Sequence, residues 1–166
     1  MGSNPTPRSY HMDDQAVRDA LEDHPAIEPA DDGYRVTTAD LENEITLAYG
    51  EVVVTVTMPD LGAVVVDDDP ADVVIEGWFD ALGRHLSDGY DVITSEPAAE
   101  AAITHGTSTV EVTYRLEGTS PEAVTTDAKA LVDYVVGSYL QSAIPGYEYG
   151  EPMNSLLGRA RSRGQS

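Results

Sequence analysis

The sequence predicts an α+β domain, an antiparallel sheet of about five strands with helices packed mainly on one face, in the order α-βββ-α-ββ-α. Three observations predict it. "EVVVTVTMP" (51–59) and "STVEVTYRLE" (108–117) alternate in the manner of strands with one buried face. Residues 120–140 carry apolar side chains at i, i+4, i+7 and i+8, the spacing of a helix. The expected strands also follow one another with few crossovers, which implies antiparallel pairing with the helices gathered to one side.

Taken in order, "MGSNPTPRSYH" has no periodicity, and residues 1–12 read as a disordered or vector-derived leader before a single domain over 13–157. Asp13 or Asp14 is expected to cap a short helix with Val17, Ala20, Leu21 and His24 on one face, ended by Pro25. "PAIEPADDG" (25–33) reads as a loop. Strands follow at 33–38, 43–49 and 51–58, the last two joined by a tight turn at Gly50. In the third, Val52, Val54, Val56 and Met58 share one face, which marks a central strand.

"AVVVDDDPADVV" (63–74) sets Asp67, Asp68 and Asp69 in a row. Asp69 precedes Pro70, and proline suits the first turn of a helix, so Asp69 is expected as N-cap with Asp68 and Asp72 favouring the positive end of the helix dipole. A calcium loop would need alternating acidic ligands and a turn glycine, which "DDDPAD" lacks, so no metal site is expected. The helix should run to about Leu86 with Val74, Trp78, Ala81, Leu82 and His85 on its apolar face. Strands are expected at 89–95 and 108–117, the latter with Val110, Val112, Tyr114 and Leu116 inward; 97–106 has no clear pattern. "TSPEA" (119–123) repeats the capping device with Thr119 or Ser120 ahead of Pro121, opening a helix that buries Val124, Ala128, Leu131, Val132, Val135, Tyr139 and Leu140. Leu156, Leu157 and Ala160 suit a short final helix, and 158–166 reads as a basic, mobile tail.

Thirty acidic residues face nine basic ones, a formal net charge of −21, and Lys129 is the one lysine. The carboxylates are scattered through all expected elements, so the acidity belongs to a whole surface. Leu, Ile, Val and Phe number 36, of which 18 are valine and one is Phe. An acidic surface over a thinned, valine-rich core resembles that of cytoplasmic proteins of extremely halophilic archaea. In molar salt the Debye length falls to about 3 Å and carboxylate repulsion is screened. The same charge argues against binding nucleic acid backbones. With no cysteine, disulfides, thiolate nucleophiles and cysteine zinc sites are excluded. No apolar run reaches the ~18 residues of a membrane span, and no signal peptide opens the chain, so a cytoplasmic location and no membrane partner are expected.

The element order over roughly 13–142 is similar to that of type III secretion chaperones and their relatives, a topological resemblance that implies dimerisation and binding of segments of other proteins. "GWFDALGRHL" and "DAKALVDYVVGSYLQSAIPGYEY", with the acidic surface, resemble an uncharacterised haloarchaeal family of unknown function. That resemblance brings no catalytic residues with it.

No phosphate-binding loop, dinucleotide fingerprint, nucleophile elbow or H-E-x-x-H occurs. His11, His24, His85 and His105 are scattered with no i,i+3 or i,i+4 pair; His85 is expected to pack on the apolar helix face and His105 to serve a turn. No catalytic residue, cofactor or metal is assigned. "IPGYEYGEPM" places Tyr147, Tyr149 and Met153 between two prolines, either as a segment folded back over the domain or as a partner-binding surface. Gly77 and Gly83 beside Trp78 suggest close approach by another element, either this chain's own sheet, with Trp78 in the core, or a second copy, with Trp78 as the candidate anchor of a homodimer. The expected function is a non-enzymatic binding or chaperone-like module of a halophilic cytoplasm, with a homodimer or a protein or peptide as partner. The alternative is a small carboxylate/histidine enzyme, cation-dependent in one version. A pocket of convergent buried polar groups would favour the enzyme; an open sheet face or shallow groove would favour binding.

Overall fold

The computed structural model describes residues 13–48, 50–118 and 120–164. The expected leader over 1–12 lies outside them. The elements are α1 (Asp14–Asp23), β1 (Ile27–Ala30), β2 (Gly33–Val36), β3 (Glu42–Ala48), β4 (Glu51–Pro59), α2 (Leu61–Val64), α3 (Asp72–Ser87), a 3-10 turn (Gly89–Val92), β5 (Glu96–His105), β6 (Thr109–Glu117), α4 (Pro121–Gln141) and α5 (Met153–Gly164). They form one antiparallel sheet of six strands in the order β1-β2-β3-β4-β6-β5. β1 to β4 meander. The chain then crosses the helical side through α2 and α3 to the far edge, lays down β5, and returns as β6 beside β4.

The alternation in β4 and β6 does what its period demands. Val52, Val54, Val56 and Met58 pair in register with Leu116, Tyr114, Val112 and Val110, and all eight are buried. Ile45 of β3 and Tyr34 of β2 extend this face outward. α4 covers it with Val124, Ala128, Leu131, Val132, Val135 and Tyr139, every one inaccessible. Ser120 caps α4 as the sequence predicts, its hydroxyl accepting from Ala123 N at 3.2 Å, with Pro121 in the first turn. α1 lies against α4 with Val17 and Leu21 buried. Gly50, with φ 83°, takes the left-handed conformation in the β3–β4 turn that side chains disfavour.

Several expectations are corrected. The loop over 25–33 contains β1, so the sheet has six strands. Two prolines obscure this strand, yet β1 is an edge, where a residue without an N–H is tolerated. Residues 89–92, expected in a strand, form the 3-10 turn. Tyr90 directs its hydroxyl into the neighbouring ladder, giving a hydrogen bond to Ala99 O at 2.7 Å and accepting one from Arg115 N at 3.0 Å. This occupies the irregular stretch where β5 shifts register against β6. Gly89 allows it, because a Cβ there would stand 2.6 Å from the Tyr114 hydroxyl. The alanine- and glutamate-rich stretch without a clear pattern is β5, whose conformation comes from pairing with β6 against weak local preference. Residues 158–164, expected as a tail, continue α5, and Arg159 forms an ion pair with Asp40.

The buried face of α3 is also rotated from the expected one. Trp78, Leu82 and Leu86 are buried, with Ile75 and Phe79 beside them, whereas Ala81 and His85 face solvent. A Cβ at Gly77 or Gly83 would meet nothing within 4 Å, so no element of this chain approaches closely there.

Several buried polar groups are tied individually, whereas Trp78 Nε1 and Thr125 Oγ1 have no hydrogen-bond partner among the described residues. The Asp127 carboxylate, inside α4 and 2% exposed, accepts from Thr94 N, Thr94 Oγ1 and Ser95 N, the last at 2.7 Å. Tyr114 donates to Leu86 O and Tyr139 to Pro59 O. Burial, first of all, raises the pKa of both phenols well above the ordinary value, with smaller contributions from neighbouring tyrosines and, at Tyr139, from Asp60. The unfolded chain therefore gives up these protons first. Their contribution to stability is complete below about pH 10 and is lost above it, at about 1.4 kcal/mol per pH unit for each phenol. Urea denaturation in concentrated salt should show a plateau up to about pH 9 and a steep fall above pH 10, which Tyr114→Phe makes shallower.

Candidate functional site

Two places in the fold bring polar groups together. The first is a corner beneath β4. Asp60 follows Pro59 at the end of that strand and caps α2, its Oδ1 accepting from Ala63 N at 2.9 Å. Its backbone N–H donates to Ser108 O in the β5–β6 hairpin, which brings the end of β5 overhead. Asp60 Oδ2 then lies 2.9 Å from His105 Nε2. Phe79 of α3 stacks on the imidazole with ring centres 4.7 Å apart. Asp60 is buried and the His105 side chain is 23% exposed, so a carboxylate fixes one nitrogen of a partly accessible ring. Sequence reasoning gave His105 a turn role and singled out neither Asp60 nor Phe79. Forty-five residues separate the pair, and no spacing rule links them.

The second place is the other face of the sheet. On the inner face strand side chains lie under helices; on the outer face Val53 is buried, while Glu42, Glu44, Thr55, Thr57, Glu111 and Thr113 reach solvent. Register places Glu44, Thr55 and Thr113 in one row and Glu42, Thr57 and Glu111 in the next, across β3, β4 and β6. The Thr55 and Thr113 hydroxyls lie 3.3 Å apart. The β1–β2 hairpin bounds one side with Glu28, Asp31 and Arg35, Arg35 being paired to Glu28. Together these residues line an open groove of about 640 Å³. Arg115 on the same face is paired with Glu51, which leaves Asp31, Glu42, Glu44 and Glu111 as carboxylates without an ion-pair partner among the described residues.

The sequence-predicted site residues are dispersed. Trp78 is 5% exposed and meets Tyr139 edge to face at 6.5 Å, so it packs in the chain's own core and offers no ring surface to a partner. Tyr149 and Met153 are buried, and Tyr147, half-buried, packs edge to face on Tyr149. The Tyr149 hydroxyl accepts from Ile144 N and donates to Ile144 O, closing the segment on itself. The segment also pairs with 64–67 through Val66 N to Glu148 O, Gly150 N to Val64 O and an isolated bridge between Val65 and Tyr149. Folding back over the domain is therefore its arrangement. His24 ends α1 and accepts from Ala26 N, and His11 lies outside the described residues.

The aspartate triplet does not cap α3 as expected. α3 starts at Asp72 with Ala71 as N-cap, so Asp69 caps nothing. Asp67 Oδ1 accepts from Glu148 N at 2.9 Å, which pins the returning tyrosine segment, and Asp68 accepts from Asp69 N. The buried Pro70 spends itself in the approach to the helix rather than in its first turn. Among the described residues no group of three or more His, Asp or Glu is placed to hold a metal ion, and no helix is long and apolar enough to cross a membrane.

The model of a family of unknown function, DUF5813, matches residues 22–159. The chain belongs to that family. The matched span begins within α1 and ends within α5, so it contains the whole sheet, the Asp60–His105 corner and the open face of this chain. No curated protein and no solved structure matches the chain.

The corrected role of the triplet gives a direct check. Asp67→Ala should cost about 1 kcal/mol in denaturant unfolding, the usual worth of one hydrogen bond to a partly exposed carboxylate. Asp69→Ala should cost close to nothing. A larger loss at Asp69 would restore the capping assignment.

Proposed function

We propose that this DUF5813 chain is a non-enzymatic, chaperone-like binding module of a salt-adapted cytoplasm, and that the uncovered sheet face takes a segment of a protein partner. The observation that carries the proposal is the one-sidedness of the sheet. Its inner face is sealed by helices, while its outer face presents a threonine floor between carboxylate rows. Antiparallel sheets commonly keep one face in water, and here that face holds its side chains in ordered rows that a partner segment could contact. Charge supports the salt-adapted part. A net charge of −21 over 166 residues repels itself in dilute buffer and is screened in molar salt.

The Asp60–His105 pair favours a second reading, the small carboxylate/histidine enzyme. A carboxylate that orients a partly exposed imidazole is half of a general-base arrangement. Against it, both groups also have a purely structural use. Asp60 caps α2, and His105 anchors the end of an edge strand over Phe79. Binding is therefore preferred.

Two measurements test the proposal. The melting temperature should rise steeply from dilute buffer to molar potassium chloride, and a flat profile would remove the salt adaptation. A photo-crosslinking residue placed at Thr55, on the open face, should join to a protein partner in lysate held at molar salt. The same residue at Glu76, on the exposed side of α3, should not. Crosslinks from Glu76 alone, or from neither position, would move the function away from the open face.

A further inference from the structure

Resting on the reading of the open face as the binding surface, we infer that its occupant is an extended protein segment with arginine or lysine at alternate positions, laid along β4 between Glu42 and Glu44 on one side and Glu111 on the other. The floor of the trough is Thr55 and Thr57, short side chains that let another backbone come near. The walls are longer carboxylates on the adjoining strands, Glu42 and Glu44 from β3 and Glu111 from β6. Neighbouring strands lie about 4.8 Å apart, so the walls stand roughly 10 Å from each other across β4. That width admits one extended chain. A helix, about 10–12 Å across with its side chains, would ride on the carboxylates without reaching the floor.

Spacing then selects the pattern of the occupant. Glu42 and Glu44 are two residues apart on one strand and point the same way, so their carboxylates repeat every ~6.8 Å. An extended chain presents its own side chains on one face with the same repeat. Cations at alternate positions would therefore meet Glu42 and Glu44 in register. Sign follows from pairing: the two arginines of this face are already engaged by Glu28 and Glu51, which leaves the trough itself negative. A second copy of this chain brought face to face would set carboxylate against carboxylate. A single metal ion does not suit the site either, since the charge is spread over strand positions and no group of three ligands converges among the described residues.

The test uses the full chain and short synthetic peptides that alternate arginine with serine or glutamate with serine. Calorimetry is run at the lowest potassium chloride concentration at which circular dichroism shows the protein folded. The arginine peptide should bind and the glutamate peptide should not. The triple variant Glu42→Gln, Glu44→Gln, Glu111→Gln should weaken binding about tenfold, the scale expected for three exposed ion pairs. A control triple with the same loss of charge on the helical side, Glu76→Gln, Asp80→Asn, Glu122→Gln, should leave it within about twofold. Thr55→Arg, which places a cation in the trough without removing an acid, should weaken binding as the first triple does. Equal weakening by both triples would mean attraction to bulk charge and would overturn the inference. So would tight binding of the glutamate peptide, or a wild-type dimer in light scattering that Thr55→Arg dissolves. If crosslinking from Thr55 succeeds while the arginine peptide fails to bind, the open face stands and only the basic occupant is lost.

Discussion

Everything else in the molecule depends on α4 lying across the inner face of β4 and β6. A six-stranded sheet has two faces, and the helices of this chain cover one of them. The eight inward residues of β4 and β6 and the six buried apolar residues of α4 form the centre to which α1, α2 and α3 attach. A buried valine or leucine contributes roughly 1.5–3 kcal/mol, so a core in which the small valine is the commonest residue has little to spare. The helices cover the inner face alone, and the outer face carries mainly threonine and glutamate at its outward positions.

A lean core makes buried polar groups decisive. An unpaired buried polar group costs about 1–3 kcal/mol, which cancels one core side chain. The fold answers with single, well-directed ties. Asp127 gathers the N–H groups of Thr94 and Ser95, and so sets where β5 begins. Tyr90 replaces a missing rung between β5 and β6. Asp60 joins α2 to the β5–β6 hairpin and to His105, and Asp67 holds the returning tyrosine segment. Each tie joins residues far apart in sequence at an edge of the sheet or a corner of the helical layer. The chain spends its carboxylates twice, many as solvated surface and a few as structural acceptors.

Elements whose signal is local were legible in the sequence. β4 and β6 announce themselves by alternation over nine residues each, and α4 by four turns of apolar spacing behind a Ser-Pro start. β1, β5 and the 3-10 turn were not legible. β1 is four residues with a proline, β5 is rich in helix-forming alanine and glutamate, and Gly89–Val92 alternates like a strand while its tyrosine serves another ladder. The candidate sites divide in the same way. The alternation of β4 and β6 marks which side of each strand faces the core, but nothing in the spacing of Asp60 and His105 tells that they meet.

By itself the sequence determined the acidity of the surface, the class of fold and the central strand, because charge, composition and period-two alternation act without reference to distant residues. Tertiary structure alone decided the strand order, the burial of Trp78 and Tyr149, the partners of Asp60, Asp67 and Asp127, and which sheet face stays open. The physical reason is that these depend on long-range pairing. Hydrogen bonds such as Glu148 N to Asp67, 81 residues apart, are chosen by where the packed elements come to rest, and the local chain carries no record of them.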